Sequence, residues 1–451
     1  MRAHNRVLKS PGSIMITATQ PSTRHRGILR SIARISVATI CGLTAGFAAE
    51  AFCFALLSAQ APGTRDYVVY WATGQQVAHH ADPYDGVALL KAERSAGFPA
   101  SNQTLYMRNP PWTLLLVYPL GSIGARAGWV IWSLLLVGCL VSSVHLLWHM
   151  YGRPGNRRVL LGYSFAPALI CLIYGQTSLL ALLGLVLFLR WHGTRPFLAG
   201  ISLWLCALKP HLFLPFGVVL LAWIIVSRSY KILAGAATAL AASCALAFVI
   251  DPMAWSQYAQ MVPSGIETDF IPCLSFLLRH WTRPQSMWIQ YIPAVVACAW
   301  AFLYFWQRRN HWDWTKDGTL VLLVSILAAP YCWLFDQVLA IPALLHGAFR
   351  TRSWNVLAAL ALATAMVEIA LFYDVLRSAT AHLPAIHHWT YWTAPAWLAW
   401  YLVANSSFGA TEATRAMPLA DATSEWIEAI DNPLACFRGP EVLISEQGLL
   451  K

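Results

Sequence analysis

Long apolar stretches separated by short basic loops dominate this chain and decide its fold class. Only 11% of its 451 residues are charged, whereas soluble domains carry about 25%. Backbone polar groups cannot be left unsatisfied in lipid, so apolar runs of this length form helices. The sequence therefore predicts an all-α, polytopic membrane protein with about 12 transmembrane helices. The runs lie at about 32–58, 127–149, 158–174, 178–190, 197–208, 211–227, 232–250, 290–306, 318–330, 335–349, 354–372 and 390–405.

The chain divides into one membrane domain and two polar tails. Residues 1–30 are basic and rich in Ser and Thr, which indicates a disordered cytoplasmic tail. Residues 31–405 form the membrane domain, and its first run is too long for a signal-peptide core, so we predict a retained span. Residues 406–451 become polar again and are predicted to be a second cytoplasmic tail.

Basic residues set the predicted orientation. With the N-terminus inside, the basic loops near 153–158, 190–195, 228–231, 308–316 and 350–352 all face the cytoplasm, as the positive-inside rule requires. This orientation holds only if residues 111–124 do not cross the membrane, so we interpret them as a re-entrant segment. The net charge of +11 then reflects topology, and we predict no nucleic-acid partner.

The same orientation gathers the polar interruptions of the apolar sequence on the extracytoplasmic side. They comprise a long first loop and re-entrant segment at 61–125, the loop 251–289, and the short segments around Gln176, Lys209 and Asp336. Ionisable residues near hydrocarbon are costly and are usually functional. Asp66 opens the long loop, and the spacing of residues 66–80 predicts a helix with one apolar side, lying on the membrane surface. We therefore expect one site at the outer membrane surface.

Five ordered segments between about residues 60 and 345 form a recognisable pattern. They are Asp66-Tyr67 with Tyr70 and Ala72, Asp82-Pro83-Tyr84 with Asn109-Pro110-Pro111, residues 174–180, Ala199-Gly200 through Lys209-Pro210, and residues 329–336. Together they resemble glycosyltransferase family 87. The resemblance implies a GT-C-type fold and a hexosyltransferase similar to polyprenol-phosphate-mannose-dependent mannosyltransferases. It further implies inverting transfer of a sugar, with mannose as the first guess, from a polyprenyl-phosphate donor to a lipid-linked or cell-envelope glycan acceptor.

Direct displacement at an anomeric carbon needs a base for the acceptor hydroxyl, and Asp66 is the candidate. The alternative is a structural carboxylate paired with Arg65 or Arg108. The departing phosphate needs cationic or hydrogen-bonding groups, for which Lys209, His211 and Arg108 are the candidates. Lys209 and His211 are also compatible with an interfacial, non-catalytic position, and Arg108 with a place at the rim.

Tyr67, Asn109, Gln176 and Asp336 are the candidates for binding the sugar or the acceptor. An interfacial aromatic anchor is the favoured alternative for Tyr67, whereas Gln176 is equally typical of a cap at a break between two helices. Asp336 either binds a sugar hydroxyl or orients Lys209. Gln337 follows Asp336 where some family members have His, so a role for that position is not carried over. Glu50 and Glu368 lie inside apolar runs and remain unassigned.

The sequence has neither an Asp-x-Asp nucleotide-sugar motif nor a phosphate-binding P-loop. We therefore expect no metal and no cofactor, with the lipid-linked sugar as substrate and membrane lipids as surroundings. The predicted location is a bacterial inner membrane, with both termini cytoplasmic and the site outside. Three rival functions stay open, namely a transporter or flippase of lipid-linked sugars, a polysaccharide polymerase or ligase with a diphosphate donor, and a non-catalytic scaffold.

Overall fold

The structure, a computed structural model, describes residues 66–98, 103–155, 157–262, 271–381 and 388–406, together with Ser31 and Gly42. Every regular element in these ranges is a helix, and no β-strand occurs among them, which confirms the predicted all-α class. The α-helices are α1 (Tyr67–Ala78), α2 (Gly86–Ser95), α3 (Leu114–Val117), α4 (Ala125–Met150), α5 (Leu160–Tyr163), α6 (Ala166–Tyr174), α7 (Ser178–Trp191), α8 (Pro196–Cys206), α9 (Leu214–Ser227), α10 (Tyr230–Ile250), α11 (Ala254–Met261), α12 (Leu274–Thr282), α13 (Ile292–Arg308), α14 (Thr319–Ala328), α15 (Ile341–Arg350), α16 (Trp354–Ala381) and α17 (393–406).

Several helical segments are long and apolar enough to cross a membrane. A helix must supply about 20 residues to cross a hydrocarbon core about 30 Å thick. The chain is therefore membrane-embedded, and these segments overlap the predicted apolar runs. The described part of the chain contains six of them: Ala125–Met150, Arg157–Tyr174, Pro210–Ser227, Tyr230–Ile250, Met287–His311 and Trp354–Leu371.

The expected number of about twelve spans is not confirmed. Four other apolar helices, α7, α8, α14 and α15, have only 14, 11, 10 and 10 residues. At about 1.5 Å per residue, none of them reaches across a hydrocarbon core by itself. The apolar runs are short because each one meets a break in the helix, and the breaks carry the polar residues of the candidate site.

Local sequence explains why these helices stop where they do. Gly175 ends α6 in the left-handed region with φ of +74°, and a Cβ there would lie 2.7 Å from the ring of Trp129. Pro210 follows Lys209 and disfavours α geometry at that lysine, whose φ and ψ are −136° and 66°. Pro330 lies just beyond the end of α14. Irregular backbone of this kind is tolerated at membrane depth only where protein or a cavity surrounds it.

Helix α1 confirms the helix predicted over residues 66–80, but the expected single apolar side is wrong. Nine of its twelve residues are buried, because α1 packs closely on the short helical turns that cover residues 111–122. A Cβ at Gly74 would lie 2.3 Å from the carbonyl oxygen of Val117, so the two backbones touch. The Trp71 indole also donates to the Ile123 carbonyl over 2.9 Å. The re-entrant position of this segment stays a prediction.

Several predictions lie outside the described residues. They concern the tail 1–30, the first span at about 32–58 with Glu50, and nearly all of the tail 406–451. Arg65, one suggested partner of Asp66, is also outside the described ranges. The predicted domain boundaries therefore stay predictions.

Candidate functional site

A buried polar cluster joins three breaks between helices, and Gln176 lies at its centre. Its members are Asp66, Tyr70, Gln176, Ser178, Lys209 and Asp336. The Gln176 Nε2 donates to Asp66 Oδ2 over 2.8 Å. Its Oε1 accepts from the Tyr70 hydroxyl over 3.1 Å and from Lys209 Nζ over 3.0 Å. Gln176 therefore connects the carboxylate at the start of α1 with the lysine that follows α8.

The Lys209 side chain is almost enclosed, with 10% of its surface exposed. Its Nζ donates to Asp336 Oδ1 at 2.7 Å, to Ser178 Oγ at 3.0 Å and to Gln176 Oε1. It also lies 4.7 Å from the centre of the Phe335 ring. An ammonium has three N–H donors and no acceptor, so all three donors of Lys209 are used.

Asp336 is the buried anion of the cluster, and it is 1% exposed. Besides Lys209, its Oδ1 accepts from the Ser178 hydroxyl over 2.6 Å, and its Oδ2 accepts from the backbone N–H of Trp333 over 3.0 Å. A buried carboxylate satisfied on both oxygens and paired with a cation avoids the penalty of an isolated buried charge. This contact is the one expected if Asp336 orients Lys209, and that role stays a prediction.

The Asp66 carboxylate is partly buried at the start of α1. Burial raises the pKa of the Asp66 carboxyl above its usual value, while the Gln176 hydrogen bond and the Lys209 charge oppose that rise. Within the described residues, the bond from Gln176 is the one hydrogen bond its side chain makes, and it involves Oδ2. Such a carboxyl is suited to accept a proton, because a general base works best when its pKa lies near the operating pH.

The pKa of Lys209 is set by two opposing effects. Burial by itself lowers the pKa of the ammonium, because it disfavours the charged form. The neighbouring Asp336 and Tyr70 reverse this effect, and the pKa lies above its usual value. Lys209 is therefore charged, and the neighbouring Asp336 carboxylate is the main group that favours its charged form.

The residues before the Pro110-Pro111 break hold the backbone on which Lys209 sits. Asn109, which is 8% exposed, donates from Nδ2 to the Leu208 carbonyl over 2.7 Å. The indole of Trp112 donates to the Ala207 carbonyl over 3.0 Å. These carbonyls have no partner within their own helix because α8 ends at Cys206. The structure thus gives Asn109 a contact that positions the Lys209 segment.

Arg108 and His211 lie close in sequence to residues of the site, one just before Asn109 and the other two residues after Lys209. The Arg108 side chain is exposed, and its carbonyl accepts from the Tyr258 hydroxyl over 3.1 Å. Burial raises the pKa of Tyr331, and the charge of Arg108 partly offsets the rise. The His211 ring packs on the same Tyr331, with ring centres 3.9 Å apart. An imidazole therefore contacts Tyr331, and the charge of Arg108 acts on the same side chain.

Tyr67 lies in the aromatic core and makes no described contact with the polar cluster. It is 0% exposed, and its ring centre lies 5.3 Å from that of Trp129 and 6.4 Å from that of Trp132. This corresponds to packing inside the protein rather than to either of the two sequence interpretations. Tyr70, one turn further along α1, is the tyrosine that reaches Gln176.

Sequence reasoning missed Tyr70 and Ser178 as members of the site. Both occur in quoted segments, and Ser178 begins α7, where a serine is commonly explained as a helix-capping residue. Gln337 points away from the cluster, because its Oε1 accepts from the Trp397 indole over 2.8 Å. The roles of Tyr70, Ser178 and Gln337 depend on the direction in which each side chain points. Neighbouring residues of a helix point in different directions, so the sequence alone does not show which of them reaches the cluster.

No group of three or more His, Cys, Asp or Glu side chains in the described ranges is arranged to hold a metal ion. The expectation of a metal-independent reaction stays a prediction.

Glu368 is buried within α16, and its Oε1 makes no hydrogen bond to any described residue. It lies outside the cluster and stays unassigned.

A comparison with protein families places part of the chain within one family model. The model described as glycosyltransferase family 87 matches residues 106–330. The matched part contains Arg108, Asn109, Gln176 and Lys209, whereas Asp66 and Asp336 lie on either side of it. Searches of curated proteins and of solved structures find no match. The match is narrower than the resemblance seen over about residues 60–345.

Proposed function

The chain belongs to glycosyltransferase family 87, and from this premise we propose that it moves a sugar from a polyprenyl monophosphate to a lipid-linked or cell-envelope glycan. Mannose is the first candidate sugar. The transfer takes place on the extracytoplasmic face of a bacterial inner membrane, and Asp66 is the general base.

One observation carries this proposal, namely the partly buried Asp66 carboxylate held by the Gln176 amide. Its pKa is raised by burial, and its Oδ1 makes no hydrogen bond within the described residues. A general base needs an accessible oxygen and a pKa closer to neutrality than that of a surface aspartate. Asp66 meets both requirements.

The reaction is a direct displacement with inversion. The acceptor oxygen forms a bond to the anomeric carbon, its proton passes to Asp66, and the bond from that carbon to the phosphate oxygen breaks with its electron pair. The lipid phosphate leaves with one more negative charge, so a nearby cation lowers the barrier. We assign this task to the Arg108 cation, with the His211 imidazole as a hydrogen-bond donor, since the ammonium of Lys209 has no unused N–H.

Transfer assays with Asp66→Asn test the proposal. Membranes containing the full chain receive radiolabelled polyprenyl-phosphate mannose and a lipid extract as acceptor. We expect labelled product with the wild type and a loss of about 10²- to 10⁴-fold in the variant at equal protein level, which is the usual contribution of a general base. Equal labelling in both proteins would remove Asp66 from the chemistry.

The donor requires its own control. A polyprenyl diphosphate sugar offered in parallel separates the proposed monophosphate donor from that of a polymerase or ligase. Label transferred only from the diphosphate would contradict the donor class while leaving the family membership intact.

Arg308→Met, which alters an ion pair near the end of α13, serves as the matched variant with unchanged activity.

A further inference from the structure

We propose that Lys209 is a positioning residue that acts on the base Asp66 through the amide of Gln176, and not a ligand of the donor phosphate. This inference rests on the proposed function, because it takes Asp66 as the general base. We also predict that Lys209 and Gln176 affect the pKa of Asp66 in the protein without substrate, which can be tested without any turnover.

The first step is that Lys209 has no donor left for phosphate. Its three N–H groups reach Asp336, Ser178 and Gln176 at 2.7–3.0 Å. The Phe335 ring covers it at 4.7 Å. A phosphate could be bound only after one of these contacts broke, and the buried Asp336 would then lose part of its compensation.

The second step is that Lys209 fixes which way the Gln176 amide points. A carbonyl oxygen has two lone pairs, and Gln176 Oε1 uses them for Tyr70 and Lys209. If the amide turned over, its NH₂ would face an ammonium, which has only donors. A tyrosine hydroxyl could adapt to that change by accepting, but a lysine cannot. Lys209 therefore excludes the reversed amide.

The third step is the consequence for the base. In the observed orientation Nε2 donates to Asp66 Oδ2 over 2.8 Å. This bond stabilises the ionised carboxylate, holds one of its oxygens, and leaves Oδ1 for the acceptor hydroxyl. The reversed amide would direct its carbonyl oxygen at the carboxylate, which raises the pKa of Asp66 and turns the base away from its working position.

Asp336 and Ser178 hold the other end of this chain of contacts. Ser178 donates to the same Asp336 oxygen that Lys209 contacts. The ammonium is therefore held both by Ser178, at the start of α7, and by Asp336. Lys209, Asp336 and Tyr70 are the titratable groups in the described chain that act electrostatically on Asp66. Of these, only Lys209 also controls the amide.

Steady-state kinetics of the purified full chain in lipid nanodiscs provide the first test, with polyprenyl-phosphate mannose as donor. We expect Lys209→Met and Gln176→Leu to lower kcat by about 10- to 100-fold, the scale of a misplaced catalytic group. The donor KM should stay within about twofold, since neither residue binds phosphate. The double variant should be no slower than the slower single variant, because the two residues act in one chain of contacts.

The pH profile provides the second readout. Both single variants should move the acidic limb of the kcat profile to higher pH, because a carboxylate without its hydrogen bond is harder to ionise. Tyr70→Phe should move it less, since Lys209 still holds Oε1. Lys209→Arg, which keeps the charge and the donors, should recover part of the rate, whereas Arg308→Met should match the wild type.

Infrared titration of the protonated carboxyl band separates this inference from the proposed function. The band of Asp66 is assigned by subtracting the spectrum of Asp66→Asn, and no substrate is needed. The midpoint should rise in Lys209→Met and in Gln176→Leu. An inactive wild type with shifted midpoints would overturn the proposed function alone.

Two results would overturn the inference. One is a Lys209→Met enzyme whose donor KM rises at least tenfold with kcat and pH profile unchanged, which is the behaviour of a phosphate ligand. The other is an unchanged Asp66 midpoint in Gln176→Leu. This variant leaves the Lys209–Asp336 pair in place, so it decides the matter even if Lys209→Met does not fold.

Discussion

Two ion pairs of this protein have similar chemistry and opposite surroundings. Lys209 and Asp336 lie 2.7 Å apart with side-chain exposures of 10% and 2%. Arg308 and Asp317 lie 3.4 Å apart, and the arginine is 50% exposed. The first pair joins positions 127 residues apart in sequence, whereas the second joins positions nine residues apart.

The difference shows what burial does to an ion pair. Asp317 also accepts from the Tyr304 hydroxyl over 2.8 Å and from the backbone N–H of Asp313 over 3.3 Å, so its carboxylate does not depend on Arg308 alone. Water also solvates the half-exposed arginine and weakens the attraction. Lys209 and Asp336 depend on each other because both have left water. Of the two pairs, only Lys209–Asp336 fixes the orientation of a neighbouring group, the amide of Gln176.

Breaking the buried pair should have the largest effect on stability. Lys209→Met leaves Asp336 buried without a cation, which costs about 3–5 kcal/mol. Thermal unfolding of the detergent-solubilised protein, followed by tryptophan fluorescence, measures the loss. Lys209→Met combined with Asp336→Leu should recover most of it, because removing both charges leaves no uncompensated ion. A double variant less stable than Lys209→Met would contradict this account.

Glu93 sharpens the comparison as a buried acid that pairs with no cation among the described residues. It is 0% exposed and accepts from the backbone N–H of Leu105 at 3.2 and 3.4 Å. Burial raises the pKa of Glu93 from 4.5 to about 7, so the native state binds this proton more tightly than the unfolded state does. Stability contributed by the protonated form is therefore lost as the pH rises from about 4.5 through 7.

Glu93→Gln should remove that loss. The midpoint of thermal unfolding, measured from pH 4.5 to 8, is expected to fall with pH more steeply in the wild type than in the variant. The difference between the two curves isolates Glu93 from the other acids, including Asp66. Parallel curves would show that the Glu93 carboxyl has its usual pKa in the native protein.

Removing Ser178 should disturb the buried pair without breaking it. Ser178→Ala deletes one hydrogen bond to Lys209 and one to Asp336, but the two charges stay 2.7 Å apart. We expect a loss of about 2 kcal/mol, because each of the two hydrogen bonds contributes about 1 kcal/mol. A loss as large as that of Lys209→Met would mean that the hydroxyl, and not the cation, compensates Asp336.

Breaking the exposed pair should have the smallest effect. Arg308→Met should cost less than about 1 kcal/mol, because partly exposed ion pairs contribute little and Tyr304 still donates to Asp317. Added salt should reduce the difference from wild type further. The same unfolding assay measures it, and a loss above that of Ser178→Ala would contradict the assigned difference between the two pairs.

Sequence patterns were most informative where the signal is local. Apolar runs fixed the helical class because hydropathy and helix length are read along the chain, and Gly175 and Pro210 marked breaks that the structure contains. The number of spans stays a prediction, because a run such as α8 is apolar without being long enough to cross a bilayer by itself. They also misjudged α1, since burial on every side depends on the neighbours that pack around it.

The sequence alone determined that this is a helical membrane protein of one glycosyltransferase family, and that Asp66, Gln176, Lys209 and Asp336 interrupt its apolar runs. Which of these residues contact one another depends on how the helices pack. Gln176 reaches Asp66 across 110 residues, and Ser178 reaches Asp336 across 158. These contacts form because the ends of helices that are distant in sequence meet in space. A local sequence pattern does not contain that information.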